Sequence, residues 1–181
     1  MKKVLFTRIL AVILVFLGVN WGVSAQDEAF NKGDRVAQLG IGIGSYITWI
    51  GYSTKVPPIP ASFEYGALDL FNSRAAIGLG GYLAYTSAGY KGDGKWNVSD
   101  LIIGPRGFFH YQFVEKLDTY AGLMFGYEIV SYSHTDSNLS GSSFITSLFV
   151  GARYYFAKNI AVYGELGYGV APLEVGIAFK F

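Results

Sequence analysis

Cysteine is absent from this 181-residue chain. That excludes a disulfide scaffold, a thiolate metal site and a cysteine nucleophile, and also a lipoprotein, whose lipid is carried on cysteine. A surplus of one charge is missing too. The 14 Lys and Arg face 13 Asp and Glu, a net charge of +1, and nothing in that balance points to a nucleic-acid partner. Beyond the first 25 residues there is no apolar run long enough to cross a membrane as a helix. The chain is instead rich in residues that favour strands, 14 Tyr, 14 Phe and 3 Trp, and in Gly (24), which suits turns, bulges and tight interiors. Its length suits one domain.

The first 25 residues stand apart. Lys2, Lys3 and Arg8 make a positive start, Ile9 to Val19 is apolar apart from Gly18, and Val23-Ser24-Ala25 ends on a small residue before Gln26. This is the layout of a signal peptide cleaved between Ala25 and Gln26. Its apolar run falls short of the roughly 20 residues that a spanning helix needs. Cleavage removes three of the 14 basic residues and no acid, leaving 11 against 13, a net charge of −2. The expected division is a signal peptide over 1–25, a short N-terminal segment over 26–35 and a single folded unit over 36–181.

The folded unit alternates. At its end Leu173, Val175, Ile177, Phe179 and Phe181 share one face, and Glu174, Gly176, Ala178 and Lys180 share the other. A strict period of two is that of a strand. Seven more such runs lie upstream, around Leu39–Ile47, Phe63–Ala67, Ile77–Tyr85, Leu101–Phe113, Ala121–Ile129, Leu148–Phe156 and Val162–Tyr168. The connections differ in length. Asn72–Arg74, Val114–Asp118 and Ala157–Asn159 read as short turns, whereas Trp49–Ile59, Thr86–Asn97 and Ser131–Ser142 read as longer polar loops. Pro105 cannot donate to a ladder, so a bulge or a local gap is expected there. Val56-Pro57-Pro58-Ile59-Pro60 reads as a stiff extended lead into the second strand.

Eight alternating strands fit a soluble barrel with an apolar interior or a membrane barrel with an apolar outside. Here one face is Leu, Ile, Val, Phe and Tyr almost without charge, and the other carries the strand charges and most strand glycines. Glycine suits a narrow lumen, where large inward residues must face small ones. Aromatics cluster in two belts. Phe71, Tyr111, Phe113, Tyr154, Phe156, Phe179 and Phe181 fall near the short turns; Trp49, Phe63, Tyr85, Tyr127, Phe144 and Tyr168 fall near the loops. The expected fold is therefore all-β, an eight-stranded antiparallel transmembrane up-and-down β-barrel.

Leu173 to Phe181, alternating and ending on Phe, resembles the assembly signal of outer-membrane barrels. Gly151-Ala152-Arg153-Tyr154-Tyr155-Phe156, the turn Ala157-Lys158-Asn159 and Tyr163-Gly164-Glu165-Leu166-Gly167-Tyr168 resemble the small outer membrane protein β-barrel domain family, related in shape to the OmpA, OmpX and PorT-like barrels. The resemblance implies the outer membrane of a Gram-negative bacterium, periplasmic termini, contact with outer-membrane lipid and insertion by the barrel-assembly machinery. With the sequence ending at Phe181, the peptidoglycan-binding domain that follows the barrel in OmpA-type proteins is not expected. Its motifs specify a fold rather than an activity.

Chemistry is sparse. Glu64, Glu128, Glu165 and Glu174 point inward with Arg106, Arg153 and Lys180, and buried charges should pair. Matching heights on adjacent strands predicts Arg106 with Glu128 and Arg153 with Glu165, an ion network that plugs the lumen. The alternative is a charged constriction in a pore. Lipid A-modifying barrels use His with Ser and an acid; here His110 faces inward with Gln112, not Ser, two residues on, and His134 sits beside Thr135, Asp136 and Ser137 in a polar stretch, so nothing fixes a positioned base and lipid A modification is not expected. Gly40-Ile-Gly42-Ile-Gly44 lacks dinucleotide-loop spacing and reads as lumen-facing glycine. No cofactor, metal or catalytic site is expected. The expected function is non-enzymatic: envelope integrity, or binding of an extracellular ligand or envelope protein through Tyr52, Tyr90, Trp96 and Tyr132. The alternatives are passage of small solutes and an accessory place in a secretion system, the latter implied by the PorT-like resemblance.

Overall fold

The computed structural model describes residues 29–45, 52–71, 74–90, 96–134 and 137–181. The signal peptide, its cleavage position at Ala25 and Gln26, and Trp49, Asn72, Ser73, Thr135 and Asp136 lie outside them. Eight antiparallel strands close into a barrel in chain order: β1 (Arg35–Ile43), β2 (Tyr52–Leu70), β3 (Ala75–Tyr90), β4 (Asn97–Val114), β5 (Leu117–His134), β6 (Ser137–Ala157), β7 (Ile160–Gly167) and β8 (Leu173–Lys180). The seam joins β1 to β8, from Val36 opposite Lys180 to Ile43 opposite Leu173.

Alternation decides which face meets what. Leu39, Ile41, Leu79, Ile103, Leu123, Leu148, Val162 and Ile177 are exposed on the outside, while Arg106, Arg153, Glu64, Glu165 and Glu174 are buried within. An apolar outside around a charged inside is the pattern of a membrane-spanning barrel. Phe71, Phe113, Phe156 and Phe179 ring the short-turn end, and Tyr85, Tyr127, Phe144 and Tyr168 ring the other. Phe63, expected in the upper ring, belongs to the lower one, its ring 6.3 Å from that of Phe181. The second strand begins at Tyr52 rather than near Ile59, which moves Phe63 down the wall.

The strands are unequal. β1, β7 and β8 have 9, 8 and 8 residues, close to the minimum for a tilted crossing of about 9–11. β2 to β6 run from 16 to 21. Stretches expected as loops are strand: Tyr52–Ile59 belongs to β2, Thr86–Tyr90 to β3, Ser131–His134 to β5 and Ser137–Ser142 to β6. Five strands thus rise beyond the other three as a projecting sheet. The prolines of β2 lie inside the strand, where the register with β3 shifts between Thr54 and Val56 and again before Ile59. Pro105 makes a gap, not a bulge. On the β3 side it pairs with Gly81 in unbroken register, whereas on the β5 side the ladder skips Gly104 and Pro105 and resumes in the same register. The donor that proline lacks falls on that side.

Candidate functional site

The lumen holds two clusters of charge. In the lower one Arg153, with no exposed surface, reaches Asp118 Oδ2 with Nη1 (3.0 Å) and pairs with Glu64 through Nη2. His110 Nδ1 lies 2.8 Å from Asp118 Oδ1, and its Nε2 faces Glu64. With a carboxylate at each ring nitrogen, the imidazolium is the form that donates to both. Two cations then balance two anions. Gln38 adds its Oε1 to Arg153 Nη2 (3.2 Å) and accepts from Ser62 Oγ (2.8 Å). These residues come from five strands, so the cluster ties the wall together across its bore. Gly78 makes room: a Cβ there would run into the Glu64 carboxylate.

In the upper cluster Arg106 Nη1 lies 2.9 Å from Glu165 Oε1, and Tyr120 Oη donates to Glu165 Oε2 (3.2 Å). Tyr82 donates to Glu174. The Arg106 guanidinium stands 3.8 Å from the centre of the Tyr82 ring and 4.2 Å from that of Phe149, and Arg153 stands 4.5 Å from that of Tyr120. Aromatic faces attract the guanidinium where hydrogen-bond partners run out; both Arg Nε atoms lack one. Met124, Phe108 and Ile102 fill the space between, and Val170 and Ala171 of the β7–β8 connection fold in over them. A small cleft remains beside Arg106, Ser147, Glu165 and Glu174.

These contacts differ from the pairing by height. Arg106 meets Glu165 rather than Glu128, and Arg153 meets Glu64 and Asp118 rather than Glu165. Glu128 lies opposite Ile102, four residues from the Arg106 level of β4, and accepts from Ser143 at the rim (3.1 Å). Lys180 sits at the short-turn mouth, 3.4 Å from Asp34. Side chains in so narrow a bore also reach across it: Arg106 on β4 meets Glu165 on β7 and Arg153 on β6 meets Glu64 on β2, whereas Asp118, directly opposite Arg153 on β5, is a neighbour on the wall. His110 and Asp118 belong to the network without having been expected there. Asp118 reads as a turn residue, yet it keeps the inward parity of Tyr120. His134 ends β5, but its side chain, like that of Tyr52, lies outside the described residues. Neither nitrogen of His110 is left for a serine. Among the described residues no group of three or more His, Asp or Glu is placed to hold a metal ion.

Above the lipid belt the alternation changes sense. Along one cross-strand row Ser87, Ser99, Ser131 and Ser140 are neighbours on the outer face. Along the next, Ala88, Val98, Tyr132 and Leu139 face inward. Apolar groups turn outward only where lipid is, so this reversal marks where the sheet leaves the membrane. Tyr90, Trp96 and Tyr132 lie in this part and are partly exposed.

The two edges of the sheet differ. Among the described residues β2 pairs with β1 only from Ala61 downward, and its upper part carries Pro57, Pro58 and Pro60, with Pro58 buried beside Gly42 of β1, while Lys55 reaches over β3 to Asn97 on β4. Proline lacks the donor that an added strand would need, and it is a usual guard of a sheet edge. β6 pairs with β7 only from Phe149 downward, and Ser137–Leu148 contains neither proline nor charge. Leu148 O accepts from Tyr168 N (3.2 Å). By strand parity the N–H and C=O of Thr146, Phe144, Ser142 and Ser140 point the same way, with no ladder partner among the described residues.

No family model matches the chain, and no curated protein matches it. Solved structures share the fold. Ail, the attachment invasion locus protein of Yersinia pestis, solved in complex with the heparin analogue sucrose octasulfate, has a TM-score of 0.55 at 13% identity over 83% of this chain and 99% of its own. The outer membrane protein OprG of Pseudomonas aeruginosa has a TM-score of 0.57 at 12% identity over 85% and 98%. The N-terminal β-barrel domain of OprF from Pseudomonas aeruginosa has 0.51 at 16% over 83% and 98%. The fold is that of the eight-stranded outer-membrane barrels.

Proposed function

We propose that the protein is an integral, non-enzymatic barrel of the outer membrane, with both termini in the periplasm, which acts by presenting its projecting sheet to a partner while its lumen stays closed. One observation carries the reading: above Leu148 the edge of β6 is long, has no ladder partner among the described residues and carries neither proline nor charge, beside a bore filled by ion pairs. An unpaired edge is a template for strand addition, in which main-chain bonds supply affinity and alternate side chains supply selectivity. The partner surface is thus an extended segment of another protein. Ail, described as an attachment protein, bound a heparin analogue in its crystal. In the present chain the uncharged Ser137–Leu148 favours main-chain pairing over polyanion binding.

A photo-crosslinking residue at Ser142, on the edge strand, tests this in whole cells against the same residue at Ser87, on the same face in mid-sheet. A discrete adduct at 142 that is absent at 87 is expected. No adduct at 142, together with swelling of proteoliposomes in small solutes, would favour the pore instead.

A further inference from the structure

The segment ahead of β1 turns back into the mouth of the barrel. Gly33, with φ at 93°, makes the reversal. Gly33 N donates to Gly66 O (2.8 Å), and Gly66 N donates to Asp34 O (2.8 Å), which fastens the segment to β2. Lys32 N donates to Asp69 Oδ1 (2.6 Å) on the same strand. Ala29 N donates to Gln112 Oε1 (3.1 Å) on β4, and Lys180 Nζ on β8 donates to Ala29 O (3.1 Å). Anchors on β2, β4 and β8 stretch it across the opening. Phe30 then points into the bore, buried and stacked on His110 with ring centroids 4.1 Å apart. Ala76, Ala161 and Ala178 are small enough to leave the space it fills. Gly66 is needed for the approach, because a Cβ there would run into the Asn31 carbonyl oxygen.

We propose that this N-terminal segment is a built-in stopper, with Phe30 seated on His110 to close the short-turn mouth and keep water from the Glu64–His110–Asp118–Arg153 cluster. Ion pairs weaken as water enters, since their attraction falls with rising local dielectric. The stopper therefore guards the cluster that ties the strands together. It does so whatever binds the projecting sheet.

The absence of cysteine makes the test clean. Ala76, wholly buried beneath Phe30 and opposite His110 on β3, is replaced by cysteine, and its alkylation by iodoacetamide is timed in the folded full chain. Ala76→Cys is expected to react at least about tenfold more slowly than the same chain unfolded in urea. Adding Phe30→Ala, or Gly66→Ala, which displaces the segment at the mouth without altering a residue of the charged cluster, is expected to raise the rate about tenfold or more. Retained heat-modifiable gel mobility shows that each variant is folded. A thiol that reacts at the unfolded rate with Phe30 in place would overturn the proposal. So would one as protected as in the parent in both folded variants.

Discussion

Arg153 has no exposed surface, and its two carboxylate partners reach it from β2 and β5. Removing one member of a buried ion pair leaves the others uncompensated and costs about 3–5 kcal/mol. Arg153→Ala should lower stability by that order in denaturant unfolding of the barrel in lipid vesicles. Glu128, half-buried at the rim, accepts from Ser143 and shares a hydrogen bond with Asp100 but meets no cation among the described residues, so Glu128→Ala should change stability by about 1 kcal/mol or less. Equal losses in the two variants would restore the pairing by height. Gly78 is the third test at this scale. Its Cβ would meet the Glu64 carboxylate, which Arg153 and His110 hold in place, so Gly78→Ala should cost on the order of 1–3 kcal/mol in the same measurement.

At the scale of the strand, parity predicts which prolines β6 tolerates. The N–H of Ser142 points to the open side, and that of Ile145 points to β5, so Ser142→Pro should fold with nearly parental stability while Ile145→Pro should not. Gel mobility and unfolding midpoints check both. Equal damage would mean that the edge is covered. Parity also explains what could be read from sequence. The membrane-crossing runs were legible because lipid imposes one polarity on every outward residue, as Leu173, Val175, Ile177 and Phe179 show. The projecting sheet was not. Ser87, Ser99, Ser131 and Ser140 alternate with Ala88, Val98, Tyr132 and Leu139 as regularly as any strand, but with the polarity reversed, and serine-rich stretches read as loops. Pro105 was legible as a break in the ladder because a missing donor is a local fact. Glu165 and Glu64 as partners of Arg106 and Arg153 were not, because contacts across a bore depend on tilt and stagger that one strand does not record, and Asp118, opposite Arg153, was hidden because it reads as a turn residue. Phe30 was invisible for a related reason: it precedes the first strand and takes part in no alternation.

For the molecule as a whole, the apolar outside, the charged inside and the closed ring should make a folded cylinder that resists detergent. Its electrophoretic mobility should differ between unheated and boiled samples. An unshifted band, with recovery in the soluble fraction, would reject the membrane architecture. Charge, the β7–β8 connection and the N-terminal segment fill the bore, and the proposed partner binding would fall to the strands above it. The central claim is that the lumen does not conduct, and single-channel recording of the purified wild-type barrel in planar bilayers tests it most directly. No steady unitary conductance is expected from the wild type or from Glu128→Ala. A steady wild-type conductance that increases in Glu128→Ala would contradict the closed barrel and make those charges the lining of a pore.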